Sequence, residues 1–223
     1  MRSSSSGDRG IPVKEPLRLA VPQGALLADT LELLDAIGID AGGLRSESRA
    51  LLFPGESVTL VTLRPSDVPT YVEAGAVDLG ITGKDVLMEQ QERVVYELVD
   101  LGYGYCRMVV ATKAGNHFAD ELERRLGAIR IATKYPRVAS RYFEQSGRQA
   151  EVIEVKGSVE LAPLAGLADG IVDLTATGRT LRENSLEVRE VIADCTARLV
   201  ANRVAHKLRQ REIDALLERI NAL

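Results

Sequence analysis

Eight consecutive residues, Asp173-Leu174-Thr175-Ala176-Thr177-Gly178-Arg179-Thr180, combine an acid, three hydroxyls and a glycine in the spacing D-x-x-x-T-G-x-T. They continue the apolar run "GIVDL" and lead into a helical pattern from about Arg179, so they read as a buried strand, a turn and a helix start. At such a turn, free backbone N–H groups and the positive end of the helix dipole converge on one point, and Gly178 lets the backbone approach a ligand closely. The chemistry this suits is anion binding. Thr175, Thr177 and Thr180 add hydroxyl donors, and Asp173 is placed to accept from a vicinal diol or to help hold a hydrated Mg2+. A phosphate beside a diol is a ribose phosphate. A lone Thr-Gly would be read more simply as a helix-capping turn; the full spacing favours the phosphate, and more than one transferase fold uses it.

That loop has to be carried by a sheet. Short β-branched runs alternate with helical patterns: "LRLAV" then 25–37, "VTLVTL" then 68–74, "AVDLGI" then 84–90. The pattern restarts after Tyr105 with "MVVAT", "IRIAT" before a helix at 138–145, "EVIEV" before one near 160–167, and "GIVDL". This is the βαβ signature of parallel strands, given twice. "VDLGITGKD" at 77–85 aligns without gaps on "VDLTATGRT" at 172–180, with six of nine positions identical or a Lys/Arg exchange. Upstream, Arg64-Pro65-Ser66 and Lys156-Gly157-Ser158 each put a cation and a helix-capping serine after a strand. The expected architecture is an α/β protein of two lobes facing each other across a cleft, with ligands at the carboxyl ends of the strands. Residues 17–103 with 186–223 would form the first lobe and 104–185 the second. Crossovers near 102–104 and 183–185 would make the hinge. Residues 203–220 read as one helix, and 1–16, polar and low in complexity, as a disordered arm.

Composition narrows the function classes. The 223 residues are 45% hydrophobic and 27% charged, ordinary for a globular protein with a real core. A net charge of −4 offers no broad basic surface, which argues against nucleic-acid binding and leaves anions to a few local groups. No apolar run approaches the roughly 20 residues that span a bilayer, and the amino terminus has no signal-peptide core, so a cytoplasmic protein without membrane attachment is expected. Cys106 and Cys195 lie far apart in sequence and read as reduced thiols, neither a nucleophile. His117 and His206 lack partners at metal-ligand spacing, and no structural metal is expected.

The stretches "GSVELAPLAGLADGIVDLTATGRTLREN", "RPSDVPTYVEAGAVDLGITGKDVL", "SRALLF", "IATKYP" and "VYELVDLGYGYCRMVVA" together closely resemble the ATP phosphoribosyltransferase family, over about residues 17–204. The resemblance implies a bilobal fold of the periplasmic-binding-protein type II kind, with two mixed, mostly parallel sheets and a double crossover. It implies that an adenine ring nitrogen of ATP attacks the anomeric carbon of phosphoribosyl pyrophosphate, with Mg2+ present, giving 1-(5-phosphoribosyl)-ATP and pyrophosphate. A ring nitrogen already has its lone pair, so the expected burden is electrostatic: aligning two polyanions and stabilising charge on the ribose and leaving group. Carried over by position, Thr175, Ala176, Thr177, Gly178, Arg179 and Thr180 would cradle the 5-phosphate. Asp173 and Glu160 would serve the ribose hydroxyls and the metal. Arg49, Arg64 and Lys84 would face the pyrophosphate and ATP, with Lys134 and Tyr135 lining the cleft from the second lobe. Where the family has Lys-Gly-Arg, this chain has Gln23-Gly24-Ala25, so two cations are missing and Arg18, Arg45 or Arg49 would have to compensate. The chain resembles the short form of the enzyme, which implies a homodimer within a hetero-oligomer that includes a regulatory subunit similar to histidyl-tRNA synthetase.

Three rivals stay open on sequence. A type I phosphoribosyltransferase would share the loop but normally carries an acidic pair before it, where this chain has Ile171 and Val172 ahead of Asp173. A non-catalytic solute-binding protein would share the bilobal shape without needing a phosphate loop. A subunit that keeps the fold but has lost catalysis with its missing cations is the third.

Overall fold

The computed structural model describes residues 15–46, 50–115 and 128–223. Its strands are β1 (Leu17–Pro22), β2 (Leu52–Phe53), β3 (Val58–Leu63), β4 (Leu79–Gly83), β5 (Val95–Asp100), β6 (Cys106–Lys113), β7 (Ala128–Thr133), β8 (Gln149–Glu154), β9 (Gly170–Thr175), β10 (Leu186–Cys195) and β11 (Ala197–Asn202). They form two sheets, ordered β2-β3-β1-β4-β11-β5 and β10-β6-β9-β7-β8. Four of six strands in the first and four of five in the second run one way; β2, β11 and β6 oppose them.

Both sheets are buried on both faces, and their strands alternate accordingly. In β1, Leu17, Leu19 and Val21 enter a core shared with Leu34, Ile213 and Leu216, while Ala20 points to the other face with Val68, Val72 and Val200. In β6, Met108 and Val110 pack with Phe143 and Val138, and Val109 and Ala111 with Val159 and Leu181. Helices on the two sides supply these partners, which is why the strands read as continuous apolar runs.

The internal repeat is real at the level of architecture. Omitting β2, the sheets read β3-β1-β4-β11-β5 and β8-β7-β9-β6-β10, with parallel strands at matching places and one opposed strand next to the edge. The gapless alignment needs correcting, however. Asp78 just before β4 accepts the N–H of Arg18 at 2.8 Å, and Asp169 just before β9 accepts that of Arg130 at 2.8 Å, so Asp78 corresponds to Asp169 rather than Asp173. Helix Lys84–Glu89 follows β4 directly, whereas Ala176, Thr177 and Gly178 separate β9 from helix Arg179–Glu183. Compared with the first lobe, the second carries its loop as extra residues between an equivalent strand and helix.

Two further expectations are corrected. Leu186–Cys195 is not part of the first lobe: β10 runs antiparallel to β6 from Leu186↔Lys113 to Cys195↔Cys106 in the second sheet. The chain therefore returns at Thr196, not at 183–185, and only β11 onward completes the first lobe. The other crossover, between Asp100 and Cys106, lies where expected. The residues after β11 form two helices, Arg203–Leu208 and Gln210–Asn221, because Arg209 leaves helical geometry at φ −117°, ψ 24°. Asn202 caps the first, accepting from Val204 and Ala205 at 2.9 Å each. Ser66 and Ser158 are not helix caps; Asp67 and Glu160 occupy those positions, without a side-chain cap bond. The expected arm 1–16 falls outside the described residues except for Glu15 and Pro16.

Candidate active site

The loop after β9 is built by its own hydroxyls. Thr175, buried at the strand end, accepts the N–H of Gly178 at 2.9 Å, which folds the chain back on itself. Gly178 takes φ +71°, a left-handed value that a β-carbon disfavours, and an added β-carbon would lie 2.9 Å from Arg182 Nη1. Arg182 in turn donates to the Thr177 carbonyl at 3.0 Å and ties the loop to the first turn of the helix. The N-cap residue Gly178 has no side chain to cap helix Arg179–Glu183, and the Arg179 N–H donates to the Thr177 hydroxyl at 3.4 Å, beside exposed Ala176 and Thr180. Arg179 is turned along its helix to Glu183 at 2.7 Å.

The corresponding helix start in the first lobe is already filled. Asp85 folds its carboxyl back over Gly83 and accepts from its own backbone N–H and that of Val86, where the second lobe has Thr180. Burial holds this carboxyl above the usual carboxylate range, with the Tyr135 hydroxyl, 3.1 Å away, acting the other way. Gly83 and Asp85 line the same cavity as Leu174 and Ala176. The cavity, about 430 Å³, also reaches Ala25, Pro65 and the crossover residues Gly104, Tyr105, Cys106 and Thr196. The end of the first repeat loop and the Leu174 and Ala176 that lead into the second thus line one cleft.

On the second-lobe wall the acids gather. Burial raises the Asp173 carboxyl above its ordinary range; the Leu174 N–H at 2.8 Å and the charge of Lys134 oppose this, and Glu160 adds to it. Asp173, Glu160 and Lys134 therefore share one electrostatic neighbourhood. Tyr135 joins it: burial and then the charges of Asp85 and Asp173 hold its phenol firmly protonated. Across the cleft, exposed Gln23 and Gly24 follow β1 and exposed Arg64 follows β3, all at carboxyl ends of strands.

Other expected cations are placed differently. Lys84 is engaged by Glu97 on β5 at 2.7 Å. Arg18 sits near the start of β1, roughly 15 Å of strand from its carboxyl end, and its backbone contacts Asp78. Arg45 pairs with Asp35 at 2.5 Å. Arg49 and His117 lie outside the described residues. His206 packs edge-on against Tyr96. Sequence reasoning missed Arg182, whose only signal is its position one helical turn beyond Gly178. It also missed Glu89, which contacts the second lobe through Arg137 and Val138 at 3.0 Å each.

Two α/β lobes, a double crossover and a strand-loop-helix in the cleft between them define a bilobal protein with the type II periplasmic-binding fold. Solved structures below 25% identity share this fold, among them Tv2483 bound to L-arginine (TM-score 0.60, 15% identity, 94% of this chain and 86% of that one). The family model described as "HisG: ATP phosphoribosyltransferase" matches residues 64–222, and the chain belongs to that family. It is 57% identical over 204 residues to the ATP phosphoribosyltransferase of Rubrobacter xylanophilus, covering 90% of this chain and 93% of the relative. To that of Moorella thermoacetica it is 48% identical over 210 residues, covering 91% and 90%. The ATP phosphoribosyl transferase (HisG:HisZ) complex from Thermotoga maritima superposes with TM-score 0.79 at 36% identity, over 92% of this chain and 97% of that one.

Proposed function

We propose that this chain transfers the phosphoribosyl group of phosphoribosyl pyrophosphate to ATP, releasing pyrophosphate and making 1-(5-phosphoribosyl)-ATP, the first step of histidine biosynthesis. The observation that carries this, beside family membership, is the hydroxyl-rich loop Thr175–Thr180 at the cleft, with no carboxylate among the described residues over its helix start, set against a first-lobe counterpart plugged by Asp85. The loop N–H groups and the Thr177 and Thr180 hydroxyls hold the 5-phosphate. Asp173 and Glu160 accept from the ribose hydroxyls, and their negative field favours the positive charge that develops on the ribose in the transition state. Gln23, Gly24 and Arg64 meet the nucleotide and pyrophosphate from the first lobe, and Lys134 and Tyr135 from the second.

Among the described residues no three histidine, cysteine or acidic groups converge to hold a metal alone. Asp173, whose carboxyl feels the charge of Glu160, fits with Glu160 a Mg2+ whose remaining ligands are substrate oxygens. When bound, the metal would neutralise charge on the pyrophosphate. The chain works in the cytoplasm as a homodimer within a hetero-oligomer, its partner a regulatory subunit similar to histidyl-tRNA synthetase; the match to the HisG:HisZ complex from Thermotoga maritima supports the hetero-oligomer. Among the described residues, no helix is long and apolar enough to cross a membrane. The test is the ultraviolet absorbance of phosphoribosyl-ATP, followed with and without the candidate partner. No product under either condition would leave the chain a non-catalytic member of the family.

A further inference from the structure

Cys106 and Cys195, 89 positions apart in sequence, are direct partners across the antiparallel pair β6/β10. Directly opposed residues in such a pair have Cα atoms about 4.5 or 5.5 Å apart and side chains on one face, and both spacings lie within the range of about 4.4–6.8 Å that a disulfide spans. Each thiol alters the other's proton affinity, as close neighbours do. Cys106 is the first residue of β6 after one crossover, Cys195 the last of β10 before the other, and both line the cleft cavity. Cys195 is buried, at 1% exposure, whereas Cys106 is half-buried and open to the cavity.

From this arrangement we infer that Cys106 and Cys195 form a reversible redox site, closing to an intrachain disulfide that ties the two crossover segments together. The oxidant is a low-molecular-weight disulfide of the glutathione class. The Cys106 thiolate attacks one of its sulfurs; that S–S bond breaks, a mixed disulfide forms on Cys106, and one thiolate leaves. Cys195 then gives up its proton, attacks the Cys106 sulfur and expels the second thiolate. Two protein thiols are oxidised and one small disulfide is reduced to two thiols. The division of labour follows from the surroundings. The neighbouring Cys195 thiol lowers that of Cys106, making it the attacking group, while the nearness of Cys106 and burial hold Cys195 protonated until its partner has reacted.

The consequence lies in the hinge. Leu101 donates to Ala197, Ala197 to Tyr103 and Lys84 to Thr196, each at 2.9 Å, so the crossovers already brace one another on the first-lobe side. On the second-lobe side, Tyr105 reaches Asp194 at 2.6 Å. A covalent link beside that bond would fix the separation of both strands where lobe rotation must be absorbed.

The full chain would be incubated with oxidised glutathione, digested without reduction and analysed by mass spectrometry, with hydrogen exchange followed at residues 101–105. The expected result is a Cys106–Cys195 linked peptide, abolished in Cys195→Ser, and exchange slowed severalfold until reductant is added. Two outcomes would overturn the inference: Cys106 carrying only glutathione in the wild-type chain, or a linked peptide that leaves exchange unchanged. The mass readout does not depend on catalysis, so it stands apart from the proposed transfer reaction.

Discussion

The carboxylate of Glu89, at the end of a first-lobe helix, accepts the backbone N–H of Val138 in the second lobe at 3.0 Å. It accepts that of Arg137 at 3.0 Å as well, so one lobe caps the first turn of the other's helix Pro136–Gln145. Arg137 adds an ion pair to Glu92, and Arg141 a hydrogen bond to the Met88 carbonyl. Glu89→Ala should cost about 1 kcal/mol, as loss of a cap does, and lower the melting temperature by about 2–4 °C. Because the cap spans two lobes, the loss should also raise the radius of gyration in X-ray scattering. An unchanged radius would mean that the contact does not hold the lobes together.

Gly178→Val should weaken phosphoribosyl pyrophosphate binding by about tenfold or more while changing ATP binding less. A β-branched residue at φ +71° is strained, and its side chain would displace Arg182 from the Thr177 carbonyl. Isothermal titration of each ligand gives the comparison, and equal losses for both would place the 5-phosphate elsewhere. Melting measured alongside separates binding from folding.

Asp85 makes a prediction about pH. Its folded value is raised by burial above the ordinary 3.8, so its contribution to stability is fully present below the unfolded value and is lost as pH rises through the folded one. Asp85→Asn cannot ionise. The melting temperature of the variant minus that of the wild type should therefore increase, on the order of 2 °C, between pH 3 and neutrality. A difference independent of pH would show that the carboxyl is not buried as described. Asp85→Thr should in addition open the first-lobe helix start and strengthen pyrophosphate binding.

The sequence was most legible where local pattern decides structure. The runs at β1, β3, β7 and β9 are apolar because both sheet faces are covered, and Gly178 sits where a left-handed turn is required. It was least legible where pairing between distant segments decides. β10 is a half-exposed edge strand, and nothing local to it says which sheet it joins; its pairing with β6 moved the lobe boundary by ten residues. That same pairing put Cys106 beside Cys195, although their separation argued for independent thiols. The repeat misled in a different way. "VDL" occurs in both halves and matches Asp78 to Asp173, but the structural counterpart of Asp78 is Asp169, which lies upstream of the aligned stretch. Lys84 read as a free cation because Glu97, its partner, arrives from another strand.

The chain alone should not respond to histidine. β11 is an interior strand of the first sheet, and Ile213 and Leu216 of the final helix are buried in the first-lobe core. The described residues after the second lobe are therefore committed to completing the first, and a response to histidine is expected of a partner subunit. A partner subunit could still bias the lobes, provided its contacts differ between open and closed states, and only that difference would couple histidine to turnover. The double crossover at 101–105 and Thr196, and the Glu89 cap across the lobes, are the elements such a bias would act on. Histidine titrated against the purified chain should leave its activity unchanged within twofold, while the reconstituted pair should be inhibited severalfold. Since coupling is reciprocal, phosphoribosyl pyrophosphate should shift histidine affinity in the pair by the same factor as histidine shifts its binding. Strong inhibition of the isolated chain would instead place an effector site within the two lobes themselves.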